Sequence, residues 1–111
     1  MNGYPFSDGV SGKVRPAVVI QSDTNNERLK NTIVAMITST IDRAAHEPTQ
    51  LLIDLNTPEG RYSGLLHTSA IKCENIFTVE QRLIVRAIGR LPDVTMKGLD
   101  VCLKTALELL S

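Results

Sequence analysis

Residues 12–23, GKVRPAVVIQSD, decide the fold of this chain. The apolar run at residues 17–20 is short, mostly β-branched and bounded by polar residues, which predicts a buried β-strand. Pro16 fits the first residue of that strand, where its missing N–H costs little, and it favours an extended backbone at Arg15. The pattern therefore predicts a permanently charged guanidinium at the mouth of a buried strand. Such a position suits an anion-binding or catalytic arginine, and the alternative is a surface arginine that merely precedes a strand.

Length and composition indicate one globular domain over residues 1–111. Apolar residues make up 42% of the chain and charged residues 22%, so it is not a disordered sequence. Twelve basic residues balance twelve acidic ones, so the chain as a whole has no positive potential that would attract nucleic acid. Any nucleic-acid site must therefore be a local basic patch. The sequence contains no membrane span and no signal-peptide core, and we expect a cytoplasmic protein whose two cysteines, Cys73 and Cys102, stay reduced.

Short apolar segments separated by turn residues predict a mainly β chain. Residues 1–12 are expected to be loop-like, and residues 23–31 a loop or hairpin connection. Thr78 followed by Glu80 predicts the cap and first turn of a short helix within residues 77–83. Further extended segments are expected at residues 32–38, 50–55, 64–68, 69–73 and 83–90.

The C-terminal segment has a helical period. Apolar residues spaced three and four apart form one stripe, consisting of Met96, Leu99, Leu103, Ala106 and Leu110. Asp93 or Thr95 is expected to cap the start of this helix, and the stripe is expected to pack in the core or at a dimer interface. The whole pattern favours a small, mostly antiparallel barrel with a C-terminal amphipathic helix packed on it.

Five segments, in this order and spacing, resemble the MazF/PemK family of toxin endoribonucleases. They are GKVRPAVVIQSD (12–23), TIVAMITS (32–39), EPTQLLID (47–54), GLLHTSAIKCENIFTVEQRL (64–83) and IGRLPDVTMKGLDVCLKTALELL (88–110). The resemblance implies an SH3-like barrel, a homodimer and neutralisation by a cognate antitoxin. It also implies sequence-specific cleavage of single-stranded messenger RNA without a metal or other cofactor.

The chain departs from the family at its beginning. Members of the family start with a strand ahead of the Gly-rich loop, whereas only about a dozen residues precede Arg15 here. We therefore expect that first strand to be missing, which would leave an uncovered sheet edge.

Metal-free RNA cleavage needs a base for the 2′-OH, a proton for the leaving 5′-oxygen and positive charge at phosphorus. With the resemblance, Arg15 is the expected charge-stabilising residue, because its planar fork can bind two phosphate oxygens. Thr38 is the second expected catalytic residue, and Ser39 beside it is expected to bind RNA; alternatively, both hydroxyls satisfy strand-end amides. Glu74 is the expected base and Lys72 a second cation, unless the two form an ordinary exposed ion pair.

Other polar residues complete the expected RNA-binding surface. We expect Lys13, His46 and Arg61 to contact RNA, together with Ser39 and Lys72. His67 lies in an extended segment and is expected to be structural. The histidines and cysteines lack the spacing of a zinc site, so no metal site is predicted.

Two alternatives to an RNA-cleaving toxin remain at this point. One is a non-enzymatic toxin of the same fold that poisons DNA gyrase, like the CcdB proteins; it would rely on apolar residues at the C-terminus. The other is a nuclease-inactive relative retained for dimerisation. Arg15 beside Pro16, together with Thr38 and Ser39, favours the nuclease.

Overall fold

A computed structural model describes residues 2–7, 14–44 and 46–109, with the backbone alone described for residues 2–7. In chain order the strands are β1 (Asn2–Ser7), β2 (Val14–Val19), β3 (Asn31–Thr38), β4 (Gln50–Ile53), β5 (Ser69–Glu80) and β6 (Gly89–Arg90). The helices are α1 (Asp23–Arg28), α2 (Pro58–Arg61) and α3 (Asp93–Leu107), and a 3₁₀ turn spans Gln81–Leu83. No helix in the described ranges is long and apolar enough to cross a membrane.

The strands form one antiparallel sheet in the order β4-β5-β3-β2-β1-β6. The prediction of a mainly β, antiparallel fold with helices is therefore correct. Within the described ranges the hydrogen-bonded ladders end at β4 and β6, so the sheet is open there and not a continuous barrel. The 12-residue strand β5 is central to the fold, because it pairs with β3 on both sides of a register shift and with β4 over its first four residues.

The prediction of a loop-like N-terminus without the first strand is wrong. β1 occupies Asn2–Ser7 and pairs with both β2 and β6. Its glycine and proline depress intrinsic strand propensity, but the cross-strand ladders override that propensity. The edge of β2 that the sequence predicted to be uncovered is thus occupied.

β2 alternates between two apolar clusters, as the period of a strand requires. Val18 faces the cluster under α3, whereas Ala17 and Val19 face a second cluster with Val34 and Val79. Pro16 is the third residue of β2 and not the first. It is tolerated because the ladder with β3 begins only at Ala17, so no bond to β3 is lost at the proline.

The predicted C-terminal helix is present and uses its predicted stripe. Leu99 is fully buried, and Met96, Leu103 and Ala106 pack against the same cluster, which also contains Cys102. Burying one such leucine contributes about 2 kcal/mol. Leu110 lies outside the described residues.

Three local predictions are wrong. Pro92 occupies the N-cap position of α3 without a side-chain hydrogen bond, so neither Asp93 nor Thr95 caps this helix. Thr78 lies within β5, and the expected helical turn is the shorter 3₁₀ turn that follows that strand. Residues expected as a loop contain α1, whose start is capped by the Ser22 hydroxyl accepting from the Asn25 amide at 3.2 Å.

Candidate active site

Two strand ends bring the predicted catalytic residues together. β2 and β3 are antiparallel, with Ala17 opposite Met36 and Val18 opposite Ala35. Continuing this register by two residues sets Arg15, near the start of β2, opposite Thr38, the last residue of β3. The pairing that positions them joins β2 to the next strand along the chain.

Arg15 and Thr38 line one cavity of about 640 Å³. Its walls come from the start of β2, the end of β3, residues 64–67 and residues 86–88. The polar or charged side chains described in its lining are Arg15, Thr38, Ser39, His67, Ser69 and Arg86. None of the described lining residues is a carboxylate, so the two arginines face the cavity without a nearby acid in its wall to neutralise them. This arrangement favours an anionic ligand.

The Thr38 hydroxyl accepts a hydrogen bond from the Thr40 amide at 3.1 Å. The Thr38 hydroxyl therefore satisfies a backbone amide at the strand end, which is the alternative role considered for it. Because the hydroxyl acts there as an acceptor, its own hydrogen can still be donated into the cavity. Ser39, the neighbouring residue, is exposed and lines the same cavity.

Residues 64–67 form the wall that carries His67. Gly64 has a φ of 75°, and an added Cβ would lie 1.8 Å from the Ile88 carbonyl oxygen. The backbone segments at Gly64 and Ile88 lie so close together that only glycine fits at residue 64. Their contact connects two walls of the cavity. The Ser69 hydroxyl donates to the His67 carbonyl at 2.8 Å. The His67 side chain is exposed and lines the cavity, so it can meet a ligand there. The expectation of a structural role did not include this position.

Glu74 and Lys72 line a second cavity of about 300 Å³, whose wall also includes Thr38. A register shift between β3 and β5 produces this site: Ala35 pairs with Ile76, but the next residue, Met36, pairs with Lys72. The residues between those two on β5 bulge away from β3. Glu74 there accepts a hydrogen bond from Gln50 Nε2 at 2.9 Å.

The alternative of an ordinary Lys72–Glu74 ion pair is not found. Both side chains are described, and the ion pair recorded within the described ranges joins Arg82 to Glu80 instead. Glu74 is exposed and Lys72 half-buried, and both face the second cavity. The predicted base is therefore adjacent to Thr38 but in a different cavity from Arg15.

The remaining predicted RNA-binding residues are scattered. His46 lies in the turn before β4 and lines neither cavity. Arg61, at the end of α2, donates from Nη2 to the Asn56 carbonyl at 3.5 Å and also lines neither cavity. Lys13 lies outside the described residues. Arg86, by contrast, lines the larger cavity and was not predicted, because nothing in its local sequence indicates that its segment meets β2.

The two cysteines are free, buried thiols of one apolar cluster, with Cys73 on β5 and Cys102 on the buried face of α3. Burial, together with smaller contributions from the neighbouring Cys102 and Glu74, raises the pKa of Cys73 to about 12. Burial also raises the pKa of Cys102, although its hydrogen bond with Cys73 acts in the opposite direction. Such thiols are poor nucleophiles. Within the described ranges no group of three or more histidine, cysteine or acidic residues could hold a metal ion.

The sequence matches the family model of the PemK-like, MazF-like toxins of type II toxin–antitoxin systems over residues 4–107. It is also 35% identical to endoribonuclease EndoA of Bacillus subtilis over 106 residues, which cover 96% of this chain and 86% of that protein. The chain belongs to the PemK/MazF toxin family.

Solved structures of MazF toxins have the same fold as this family member. The Mycobacterium tuberculosis toxin MazF-mt6 superposes with a TM-score of 0.82 at 22% identity, covering 100% of both chains. A mycobacterial endoribonuclease in complex with its cognate antitoxin gives a TM-score of 0.81 at 19% identity, covering 99% of this chain and 94% of that one. The family resemblance seen in the sequence is confirmed, and the gyrase-poison alternative finds no support in these matches.

Proposed function

We propose that this PemK/MazF toxin is a metal-independent, sequence-specific endoribonuclease that cleaves single-stranded messenger RNA. The observation that carries the proposal is the meeting of Arg15 and Thr38 in one open cavity whose described lining holds two arginines and no carboxylate. A phosphodiester is the anion that this lining would bind in an RNA-cleaving toxin. The relationship to EndoA supports the same activity.

The chemistry assigned to the site is attack of the RNA 2′-oxygen on the adjacent phosphorus. Arg15 binds phosphate oxygens through its fork and stabilises the charge that develops on them. Arg86 adds a second positive charge, and Thr38 donates to the phosphate or orients the 2′-OH. Glu74 accepts the 2′-OH proton from the other side of Thr38. The P–O5′ bond then breaks, leaving a 2′,3′-cyclic phosphate and a 5′-hydroxyl.

Single-stranded RNA is the expected substrate because a duplex hides the base edges that a protein must read. Residues 39–48, which include Ser39 and His46, and residues 56–63, which include Arg61, are proposed to contact bases around the cut site. Lys72 and Lys13 are proposed to hold neighbouring phosphates. The protein is proposed to act in the cytoplasm, where messenger RNA is present.

The proposed protein partner is a cognate antitoxin, in keeping with the family and with the mycobacterial relative solved together with one. A disordered antitoxin segment with acidic and apolar residues would suit a cavity lined by Arg15, Arg86 and exposed Leu66. We also propose that the toxin acts as a homodimer.

The deciding experiment is incubation of the purified protein with a long single-stranded RNA, with and without EDTA. Cleavage in EDTA, with products ending in cyclic phosphate and 5′-hydroxyl, is the expected result. A single 2′-deoxyribose at the cut position should block the reaction, because it removes the nucleophile. Activity that disappears in EDTA and returns with magnesium would overturn the mechanism, and no cleavage of any RNA would favour the nuclease-inactive alternative.

A further inference from the structure

Among the described residues that line the larger cavity, His67 is the one whose side chain can readily donate or accept a proton. Among those residues the other ionisable side chains are Arg15 from β2 and Arg86 from the segment before β6. Arginine stays protonated at any pH at which RNA cleavage would be measured, so it is a poor proton donor. Histidine ordinarily titrates near pH 6.5, which makes it the usual acid or base in enzymes.

Thr38 is the residue that connects the cavity of His67 with the cavity of the predicted base, Glu74. The threonine lies in the wall of both cavities; His67 lines the larger one, and Glu74 lines the smaller one. A nucleophilic displacement at phosphorus places the entering and leaving oxygens in line, on opposite sides of the phosphorus. A phosphate bound beside Thr38, the residue common to both cavities, would then be approached by His67 from the larger cavity and by Glu74 from the smaller one.

The wall that carries His67 is anchored on both sides of it. Leu65 packs against the core cluster under α3, and its amide donates to the Ser63 hydroxyl at 3.2 Å. On the other side, the buried Ser69 donates to the His67 carbonyl. The backbone at His67 is thus held while the imidazole remains exposed to the cavity.

We infer that His67 is the general acid of this site, protonating the leaving 5′-oxygen of the RNA while Glu74 removes the 2′-OH proton. The inference rests on the proposed endoribonuclease function. In the step, the 2′-O–P bond forms and the P–O5′ bond breaks. One proton passes from the 2′-OH to Glu74 and one from the His67 imidazolium to O5′. Exchange with water then returns a proton to His67 and removes one from Glu74.

The sign of the pH dependence follows from this role. A general acid acts in its protonated form, so kcat/KM should fall with rising pH if His67 is that acid. The charged groups that face His67 across the cavity, Arg15 and Arg86, keep their charge as pH rises. A fall in activity with rising pH that is lost in His67→Gln would therefore report the histidine and not its neighbours.

The test compares His67→Gln with the wild-type protein on two versions of one RNA. The first has the normal 5′-oxygen leaving group, and the second has a bridging 5′-sulfur, which leaves without protonation. With the normal RNA, His67→Gln should lose about a hundredfold or more and lack the fall at alkaline pH. With the 5′-sulfur RNA it should cleave at nearly the wild-type rate.

Two controls make the test specific. Arg82→Gln changes an exposed side chain on the 3₁₀ turn that lines neither cavity, and it should keep both the rate and the fall at alkaline pH. Arg15→Ala should stay slow with both RNAs, because charge stabilisation at phosphorus is needed whatever the leaving group. A His67→Gln protein that keeps the wild-type pH profile, or is equally impaired with the 5′-sulfur RNA, would overturn the acid role. In either case cleavage by the wild-type protein would leave the proposed function intact, whereas wild-type failure on the normal RNA would refute that function itself.

Discussion

At the scale of single residues, Arg15 carries the proposed chemistry. It is exposed and lies opposite Thr38 at the cavity. Arg15→Ala should lower cleavage about a hundredfold or more, because a preorganised donor to the developing charge is lost. Arg15→Lys should also be poor, because a point charge does not reproduce the two-point fork. The measurement is the rate of cleavage of a labelled single-stranded RNA.

Thermal unfolding serves as the companion measurement for these variants. Since Arg15 lies outside both apolar clusters, neither substitution should lower the unfolding temperature appreciably. Arg82→Ala, which removes an exposed arginine on the 3₁₀ turn, is the matched control. Near-native cleavage by Arg15→Ala would remove this residue from the mechanism.

Cys73 gives a second prediction at this scale. With its pKa raised to about 12 by burial, the thiol stays protonated in the folded protein when the unfolded chain has already ionised, above about pH 9. The unfolded state then binds fewer protons than the folded state, so the free energy of unfolding should fall as pH rises from about 9 to 12. Urea unfolding at pH 8 and pH 10 measures this fall, and Cys73→Ala should reduce it. A fall of the same size in that variant would assign the effect to other groups.

At the scale of elements, the contact between residues 62–64 and 88–89 supports the larger cavity. A Cβ at Gly64 would overlap the Ile88 carbonyl, and its positive φ disfavours any other residue. Gly64→Ala should therefore destabilise the protein by about 2 kcal/mol or more and also lower cleavage, since the cavity walls must separate. Urea unfolding and the RNA cleavage rate are the two measurements.

Gly98→Ala is the matched control for this substitution. An added Cβ there would lie 3.1 Å from Cδ1 of Leu51, a side-chain atom that can shift. Gly98 is inside α3, where alanine is favoured over glycine by up to about 1 kcal/mol. We expect unchanged or slightly higher stability and unchanged cleavage. If Gly64→Ala behaved like Gly98→Ala, the close backbone contact would have no structural importance.

The elements that the sequence predicted well are those whose own residues determine them. β2 and β3 have continuous apolar runs, and α3 has a stripe with helical period. β1 was missed because ladders with β2 and β6 hold it in place, and neither ladder is visible in its local composition. α1 was missed because none of its residues is buried, so it has no apolar stripe.

The candidate site was predictable in part for the same reason. Arg15 and Thr38 stand at the ends of strands that the sequence identified, so their meeting follows from an antiparallel pair. Glu74 and Lys72 line the smaller cavity, and the shift in register that displaces them from Arg15 could not be predicted from spacing. Arg86 and His67 enter the site through segments without regular structure, whose paths depend on tertiary packing.

At the scale of the whole molecule, the homodimer stays a prediction, but its original physical reason no longer applies. The edge expected to be uncovered is paired with β1. Within the described ranges, exposed apolar side chains such as Val94 and Val101 on one side of α3 now offer the better reason. Sedimentation at micromolar concentration should give twice the monomer mass. A monomer that still cleaves RNA would contradict this expectation.

The balance of charge over the whole chain makes a quantitative prediction about RNA binding. Because acidic and basic residues are equal in number, attraction must come from a few local cations: Arg15, Arg86, Arg43 and Lys72 at the two cavities, and the proposed phosphate-binding residue Lys13. Each phosphate neutralised on a single strand contributes about −0.7 to the slope of log affinity against log salt concentration, so five contacts predict a slope of about −3.5. Titration of a non-cleavable 2′-deoxy analogue at several salt concentrations measures this slope. Arg86→Ala should bring it to about −2.8, whereas Arg82→Ala should leave it unchanged. A much steeper slope for the wild-type protein would mean that RNA follows a longer basic path than these two cavities provide.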